Sequence, residues 1–152
     1  MPMKQDRLET KLIEKLTAAF ERSPDQLNSL NQSDAEIIRL SFAEAHLVLT
    51  TDSINEEIER GLYRDPYMIG WMTVVATLSD IAATGADTVG LLLNETFGHD
   101  TTDEKIKALQ AGITDACCAH GTYILGGDTN RGPVMQMAAS AVGILGPGRV
   151  IT

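Results

Sequence analysis

Apolar and polar positions in the first half of the chain follow a helical pattern and then a strand pattern. Between residues 6 and 22, apolar side chains recur every third or fourth position, which predicts an amphipathic helix. Glu36–Phe42 and His46–Thr51 are short runs rich in Ile, Leu and Val on either side of a short connection, so they predict a β-hairpin. The charged, weakly periodic stretch Ser53–Asp65 predicts a surface loop that orders over a ligand.

The second half of the chain predicts two helices alternating with strands. Asp65 followed by Pro66 is a typical helix start, and the apolar run continues to Thr84 before Gly85 ends it. Downstream, the patterns predict a strand, a helix and two strands, over Thr88–Leu93, Thr102–His120, Thr122–Leu125 and Pro133–Ile144. The order αββαβαββ indicates a single α+β or α/β domain, with a mixed sheet and its helices on one face.

Composition narrows the possible partners. The 152 residues carry a formal net charge of −9, which disfavours nucleic acid and anionic membranes, because both bind basic surfaces. No apolar run reaches the roughly 18 residues of a membrane span, and no export leader is present, so a cytoplasmic protein is expected. The adjacent Cys117 and Cys118 are poorly placed to pair with each other and are predicted to pack as small hydrophobes in a reducing compartment.

Three aspartates follow short apolar runs and form the strongest chemical signal. These are Asp52 in LVLTTDS, Asp80 in TLSDIAATGA and Asp128 in ILGGDTNRGP. If their carboxylates converge, they repel one another, and a divalent cation reverses that repulsion. Oxygen ligands favour Mg²⁺ over zinc. Two structural alternatives stay open: Asp52 as a turn residue that bonds its own backbone, and Asp80 as a hydrogen-bonded acid at a helix break.

The segment GGDTNRGP is a candidate phosphate-binding loop. Gly126 and Gly127 allow a ligand to approach the backbone closely, while Thr129 and Arg131 offer hydroxyl and guanidinium contacts. The segment lacks the Lys-Ser/Thr pair of a P-loop and the G-x-G-x-x-G spacing of a dinucleotide fingerprint. Together with the aspartates, it makes a Mg-nucleotide site the leading hypothesis.

These motifs, taken together and in their order, resemble the N-terminal domain of the aminoimidazole ribonucleotide synthetase-related (PurM-like) superfamily. They are Ser33-Asp34, Thr51-Asp52, Asp65-Pro66, LSDIAATGA from Leu78 to Ala86, and GGDTNRGP from Gly126 to Pro133. Within that superfamily, thiamine-monophosphate kinase has the most similar pattern. The resemblance covers about residues 34 to 149, and its motifs are specific for the superfamily and much less so for the substrate.

The resemblance implies an α+β fold with a mixed, mainly antiparallel sheet and helices on one face. It implies that aspartates at Asp34, Asp52, Asp80 and Asp128 hold Mg²⁺ on the phosphates of ATP, with Gly126, Gly127, Thr129 and Arg131 as the adjoining nucleotide contacts. It also implies a small-molecule phosphate acceptor and a homodimer formed through the sheet. No catalytic residue is assigned.

The implied organisation is an N-terminal helix and polar linker over residues 1–33 and an ATP/Mg-binding domain over 34–149. Residues 150–152 are expected to begin a linker to a second domain, absent from this chain, without which the lone domain is expected to be inactive. Three departures from the kinase pattern, Ser33 in place of an acid, Glu59-Arg60 in place of His-Phe and Met72 in place of a lysine, leave alternatives open. The alternatives are another ATP-dependent member, of synthetase or dehydratase type, and a non-catalytic dimeric module.

Overall fold

The computed structural model describes residues 23–29, 32–41 and 43–146. The described part contains five strands and three helices: β1 (Glu36–Leu40), β2 (Ala45–Ser53), α1 (Asn55–Glu59), α2 (Pro66–Ala83), β3 (Asp87–Gly98), α3 (Asp103–Ala119), β4 (Ile124–Gly132) and β5 (Gln136–Leu145). The helix predicted over residues 6–22 and the predicted linker over 150–152 lie outside the described residues.

The strands form one mixed sheet in the order β1-β2-β5-β3-β4. All neighbours are antiparallel except β3 and β4, which are parallel. Parallel neighbours need a long crossover, and α3 supplies it between β3 and β4. The predicted β1–β2 hairpin and the mainly antiparallel sheet are confirmed.

Alternation of side chains along β5 distinguishes the two faces of the sheet. Met137, Ala139, Ala141 and Leu145 are at most 1% exposed and point toward the helices, while Ala138, Ser140, Val142 and Ile144 are half-buried. Helix α2 packs across β2, β3 and β5, and α3 packs against α2. We call the covered side the helix face and the other side the open face. The prediction that the helices lie on one face is confirmed.

Both long helices begin as the sequence predicts. The carboxylate of Asp65 accepts a hydrogen bond from the backbone N–H of Tyr67 (3.3 Å), and Pro66 occupies the first turn of α2. Gly85 follows the end of α2 with φ of 73°, a conformation that favours glycine. At the start of α3, the hydroxyl of Thr102 accepts from the N–H of Lys105 (3.4 Å).

The two helices cross at a pair of glycines. A Cβ atom on Gly70 would lie 2.0 Å from the carbonyl oxygen of Leu109, and one on Gly112 would lie 2.0 Å from the carbonyl oxygen of Tyr67. The backbones therefore approach so closely that the contact requires glycine on both sides. This contact fixes where α3 lies above β3 and β4.

The predicted loop over Ser53–Asp65 is wrong in part, because it contains α1. Ile54 is 4% exposed and Ile58 packs against the core one turn later, which gives the short helix an apolar side. On the solvent side, Glu56 and Arg60 form an i,i+4 ion pair. Weak periodicity over a segment this short concealed a single helical turn.

The predicted loop around GGDTNRGP is also wrong, because Gly126–Gly132 belongs to β4. The strand continues because β3 runs on to Gly98 and offers a parallel partner from Leu91 to its end. A Cβ on Gly127 would lie 2.2 Å from the carbonyl oxygen of Leu93. That glycine is thus required by the close approach of the neighbouring strand, rather than by a turn.

Candidate functional site

Asp80 lies in the second half of α2, on the side that packs against β2. Its Oδ2 accepts a hydrogen bond of 2.7 Å from the hydroxyl of Thr50 on β2. Burial raises the pKa of the Asp80 carboxyl, the Thr50 hydrogen bond opposes that shift, and the charges of Asp52 and Asp34 add to it. The sequence predicts that an acid in this apolar helix needs compensation, and the hydroxyls of Thr50 and Ser79 provide it here.

Asp52 and Asp34 lie beside Asp80. Asp52 is two residues after Thr50 on the same strand, so its side chain also points to the helix face. It is half-buried, and its Oδ1 accepts from the backbone N–H of Ser53 (2.7 Å), the local bond expected of a turn residue. Asp34 is exposed, and its carbonyl oxygen lies 3.4 Å from the Thr50 hydroxyl. We call Asp34, Asp52 and Asp80 the acidic trio.

The acidic trio suits a hard cation in its chemistry. It offers carboxylate oxygens, which Mg²⁺ and Ca²⁺ prefer, and the like charges around Asp80 leave a negative site that a cation stabilises. No basic side chain of the described residues forms an ion pair with Asp80. Within the same described ranges, no three His, Cys, Asp or Glu side chains are arranged as a ready-made metal cage. The trio is therefore a group of neighbouring acids that a cation would have to draw together.

Asp128 lies apart from the trio. It pairs with Asn94 on β3, and the same row continues through Ala138 on β5 to Ser53 on β2. Three strand spacings of about 4.8 Å place Asp128 roughly 14 Å from β2 along the sheet. Asn94 points to the open face, and so does Asp128, whose Oδ2 accepts from the side-chain amide of Asn130 (2.7 Å). Within one copy of the chain, three of the four predicted acids lie together and the fourth is on the opposite face.

The two predicted phosphate contacts alternate with Asp128 and lie on the helix face. The Thr129 hydroxyl lies 3.4 Å from Oε2 of Glu95. The Arg131 guanidinium lies 5.9 Å from the centre of the Phe97 ring and donates to the carbonyl oxygens of Gly98 (3.5 Å) and Thr101 (3.3 Å). Both side chains are held against the protein by these contacts while remaining exposed along the strand.

Glu95 is a residue that the sequence reasoning missed. It is 6% exposed, and its Oε1 accepts a 2.8 Å hydrogen bond from the side-chain amide of Gln110 on α3. Burial raises the pKa of the Glu95 carboxyl, and the hydrogen bonds from Gln110 and Thr129 oppose the shift. Strand periodicity could have revealed it, because every second residue of β3 faces the helices and Glu95 follows Leu91 and Leu93 in that series.

Residues 32–145 match the family model described as "AIR synthase related protein, N-terminal domain". Among curated proteins, the chain is 31% identical over 137 residues to thiamine-monophosphate kinase from Methanocaldococcus jannaschii, covering 90% of this chain and 43% of that protein. It is also 31% identical over 105 residues to thiamine-monophosphate kinase from Methanospirillum hungatei, covering 69% and 36%. The matched segment thus spans less than half the length of each of these relatives.

Solved structures share the fold. The structure of AaThiL complexed with AMPPCP and TMP superposes with a TM-score of 0.74 at 20% identity, covering 95% of this chain and 44% of that one. Protein tt0281 from Thermus thermophilus gives 0.78 at 24% identity, covering 95% and 46%. A chain of the HypE–HypF complex gives 0.71 at 24% identity, covering 93% and 44%. Across the described ranges, no helix combines the length and hydropathy needed to cross a membrane.

Proposed function

This chain belongs to the AIR synthase-related N-terminal domain family, and we propose that it is the Mg-ATP-binding domain of an ATP-dependent phosphotransferase resembling thiamine-monophosphate kinase. The observation that carries the proposal is Asp80, a half-buried carboxylate beside Asp52 and Asp34. Acids placed together in this way are stabilised by a hard cation. The AMPPCP in the AaThiL structure, an analogue of ATP, supports the choice of nucleotide.

The proposed chemistry needs no protein nucleophile. Phosphoryl transfer depends chiefly on positioning and on neutralising phosphate charge, and bound Mg²⁺ supplies that neutralisation. Asp34, Asp52 and Asp80 would hold the ion, while Thr129 and Arg131 would contact phosphate oxygens from β4. The acceptor is a small molecule. Because the matched segment covers only 43% and 36% of the two kinases, we propose that a second domain completes the acceptor site.

The open face supports a homodimer formed through the sheet. A cavity of about 550 Å³ lies against it, with apolar walls that include Ile38, Leu49, Leu92 and Val142, and it reaches Asp34. Leu92 is 45% exposed on this face. A second copy would bury that apolar surface, and it would also bring in another Asp128, since Asp128 points to the open face.

Calorimetric titration with Mg-ATP tests the nucleotide site. We expect wild type to bind and Asp80→Asn to bind at least about tenfold more weakly, because one ligand of the cation is lost. Asp128→Ala is expected to weaken binding as well. Asp25→Asn is the matched control, an exposed acid that does not belong to the trio. Equal heats for wild type, Asp80→Asn and Asp128→Ala, or no heat from any of them, would end the claim of a working nucleotide site.

Sedimentation equilibrium tests the dimer. Leu92→Lys places a charge on the open face and is expected to shift the protein toward monomer. Leu62→Lys is the control, since Leu62 is 67% exposed and lies just after α1. The dimer proposal fails if wild type is already monomeric, or if both variants associate as strongly as wild type.

The position of Asp128 favours one alternative, a non-catalytic dimeric module that keeps the fold. In that case the acidic trio and the predicted phosphate contacts on β4 would not form one nucleotide site. Product analysis separates these three possibilities. Turnover of ATP with a thiamine-type acceptor supports the kinase, and turnover with amide or carbonyl acceptors supports a synthetase or dehydratase type. If the chain turns over no ATP even when it is combined with a second domain, the result supports the non-catalytic module.

A further inference from the structure

Glu95 is a buried acid in an otherwise apolar row of β3. The helix-facing neighbours on either side of it, Leu93 and Phe97, are 8% and 4% exposed, and Glu95 itself is 6% exposed. A carboxyl group in such a row loses much of its hydration, which disfavours its charged form. Its hydrogen bonds therefore decide what it can do in this place.

The carboxyl of Glu95 joins α3 to β4, the strand at the edge of the sheet. Its Oε1 accepts the 2.8 Å hydrogen bond from the Gln110 side-chain amide, and its Oε2 lies 3.4 Å from the Thr129 hydroxyl. Thr129 is exposed on β4 and is one of the two proposed phosphate contacts. A buried acid thus lies directly behind a side chain that would touch the ligand.

Thr129 has a single hydroxyl proton, so the charge state of Glu95 decides how that proton is used. A carboxylate only accepts, and Thr129 must then donate its proton inward to Glu95. In that state the Thr129 oxygen presents only lone pairs to a ligand, and a phosphate oxygen finds no donor. A neutral carboxylic acid donates to the Thr129 oxygen instead, which leaves the hydroxyl proton free to point outward at a phosphate group.

The neighbouring strands bring no counter-charge to Glu95 within the described part of the chain. Burial raises the pKa of its carboxyl, and the bonds from Gln110 and Thr129 are what opposes that shift. Met137 lies opposite Glu95 on β5, which carries no charged residue. On β4, Asp128 faces the other side of the sheet, and the Arg131 guanidinium donates to backbone carbonyls at the end of β3 and in the loop after it.

The charged groups of the helices are also engaged elsewhere or turned to solvent. The one charged residue of α2 is Asp80, which bonds to Thr50 on β2. The remaining charged residues of β3 and α3 are exposed, namely Asp87, Asp103, Glu104, Lys105, Lys107 and Asp115. A phosphate group that arrives at Thr129 adds like charge and disfavours the charged form of Glu95 further. This repulsion and the need for a donor both favour protonation of Glu95 when the anion binds.

We propose that Glu95 is a positioning residue for phosphate binding on β4. When a phosphate group binds at Thr129, Glu95 takes up one proton from solvent and holds the Thr129 hydroxyl as a donor to that group. Glu95 does not touch the ligand itself. This role depends on the proposed function only in that Thr129 contacts phosphate, and it holds whether or not that phosphate belongs to a nucleotide.

Calorimetric titration of wild type and Glu95→Gln tests this role, with Mg-ATP and metal-free tripolyphosphate as the two probes. The glutamine side chain imitates the neutral acid, because its amide N–H can donate to Thr129 while its carbonyl oxygen accepts from Gln110. Titrations from pH 5 to pH 8, each repeated in two buffers of different ionisation enthalpy, measure the affinity and the number of protons taken up.

We expect wild type to take up to about one proton more per bound anion than Glu95→Gln, and to lose affinity relative to that variant as pH rises. At pH 8, Glu95→Gln should bind both probes at least about fivefold more tightly than wild type, because Thr129 already donates outward. Glu44→Gln is the matched control, an exposed acid in the turn between β1 and β2, at the opposite edge of the sheet. It should match wild type in affinity and in proton uptake.

Two further variants separate orientation of the hydroxyl from removal of the charge. Glu95→Leu is neutral but cannot bond to Thr129, so it should bind tripolyphosphate more weakly than Glu95→Gln at pH 8. Equal affinities of these two variants would mean that only the charge matters, and would overturn the positioning role. Adding Thr129→Val to Glu95→Gln should abolish the gain in affinity, because no hydroxyl is left to orient.

The carboxyl carbon-13 NMR signal of Glu95 gives a readout in wild type that does not depend on how a variant folds. The signal is assigned by its absence from Glu95→Gln. At pH 7, tripolyphosphate should move it toward the position of a protonated carboxyl group. A signal that stays in place at saturating tripolyphosphate would overturn the proton uptake.

The outcomes distinguish the role of Glu95 from the proposed function. If wild type and Glu95→Gln bind Mg-ATP with the same proton uptake and the same pH profile, the nucleotide site stands and the role of Glu95 is overturned. If tripolyphosphate binds with proton uptake that depends on Glu95, and Mg-ATP does not bind, the role of Glu95 stands and the nucleotide site does not. Binding of neither probe to either protein from pH 5 to pH 8 would end both.

Discussion

The two faces of the sheet are built differently, although they share the same five strands. On the helix face, Leu91 and Met137 are fully buried, and the glycines of α2 and α3 bring their backbones into contact. On the open face, Leu92 and the cavity beside it remain exposed to solvent. Adjacent residues of one strand therefore have opposite environments.

The two faces therefore differ in how much they contribute to the stability of one copy and to the binding of partners. The helix face buries the apolar surface on which folding depends and also contains Asp52, Asp80 and Glu95. The open face contributes little to the fold of one copy, and yet it presents Asp128 and the exposed side chain of Leu92. Substitutions of the buried apolar residues on the first face should act on stability, and substitutions on the second face should act on association and binding.

The sharpest comparison is between two neighbouring leucines. Leu91→Ala, at 0% exposure, should cost about 2–5 kcal/mol of unfolding free energy, because it leaves a cavity in the core. Leu92→Ala, at 45% exposure, should cost less than about 1 kcal/mol in the monomer. Urea denaturation at low protein concentration measures both. Similar losses for the two variants would show that the open face is covered within a single copy.

The glycine contact between the helices gives the next largest effect. Gly70→Ala should destabilise the protein by about 1–3 kcal/mol, because the added Cβ meets the Leu109 carbonyl oxygen and the helices must separate. Gly146→Ala is the matched control, since a Cβ there meets nothing within 4 Å. Thermal unfolding of both variants provides the measurement. If Gly70→Ala unfolds at the same temperature as wild type, the close approach of the two helices is not needed to stabilise their packing.

The sequence predicted the helix face better than it predicted the site. Apolar spacing and the Asp65-Pro66 start located both long helices, because helix periodicity and capping are local properties. The strand nature of GGDTNRG was missed, since it depends on β3 extending to Gly98 as a distant partner. The sequence also grouped Asp128 with Asp80, because the face on which a strand residue lies depends on the register with distant strands. Once that register is known, strand alternation places the two aspartates on opposite faces of the sheet.

Replacing either of two glutamates by glutamine gives the smallest predicted change in stability, and the two changes have opposite signs. Burial raises the pKa of Glu95 above its ordinary value of 4.5, so its contribution to stability is fully present below pH 4.5 and is lost as pH rises through the higher folded pKa. Glu95→Gln keeps an acceptor for Gln110 and removes the buried charge. It should therefore be more stable than wild type at pH 7, by an amount on the order of 1 kcal/mol, and should lose this part of the pH dependence.

Glu104 is the control for this pair, because its pKa is lowered by its own backbone N–H and by the Thr102 hydroxyl at the start of α3. Its contribution is present above pH 4.5 and is lost as pH falls through the lower folded pKa, so Glu104→Gln should be slightly less stable than wild type at pH 7. Urea unfolding from pH 4 to pH 8 would show the two variants diverging in opposite directions from wild type. If the stabilities of both variants changed with pH in the same direction relative to wild type, the Glu95 carboxylate would have to be solvated. Water would then reach the helix face beneath α3, in spite of the buried leucines there.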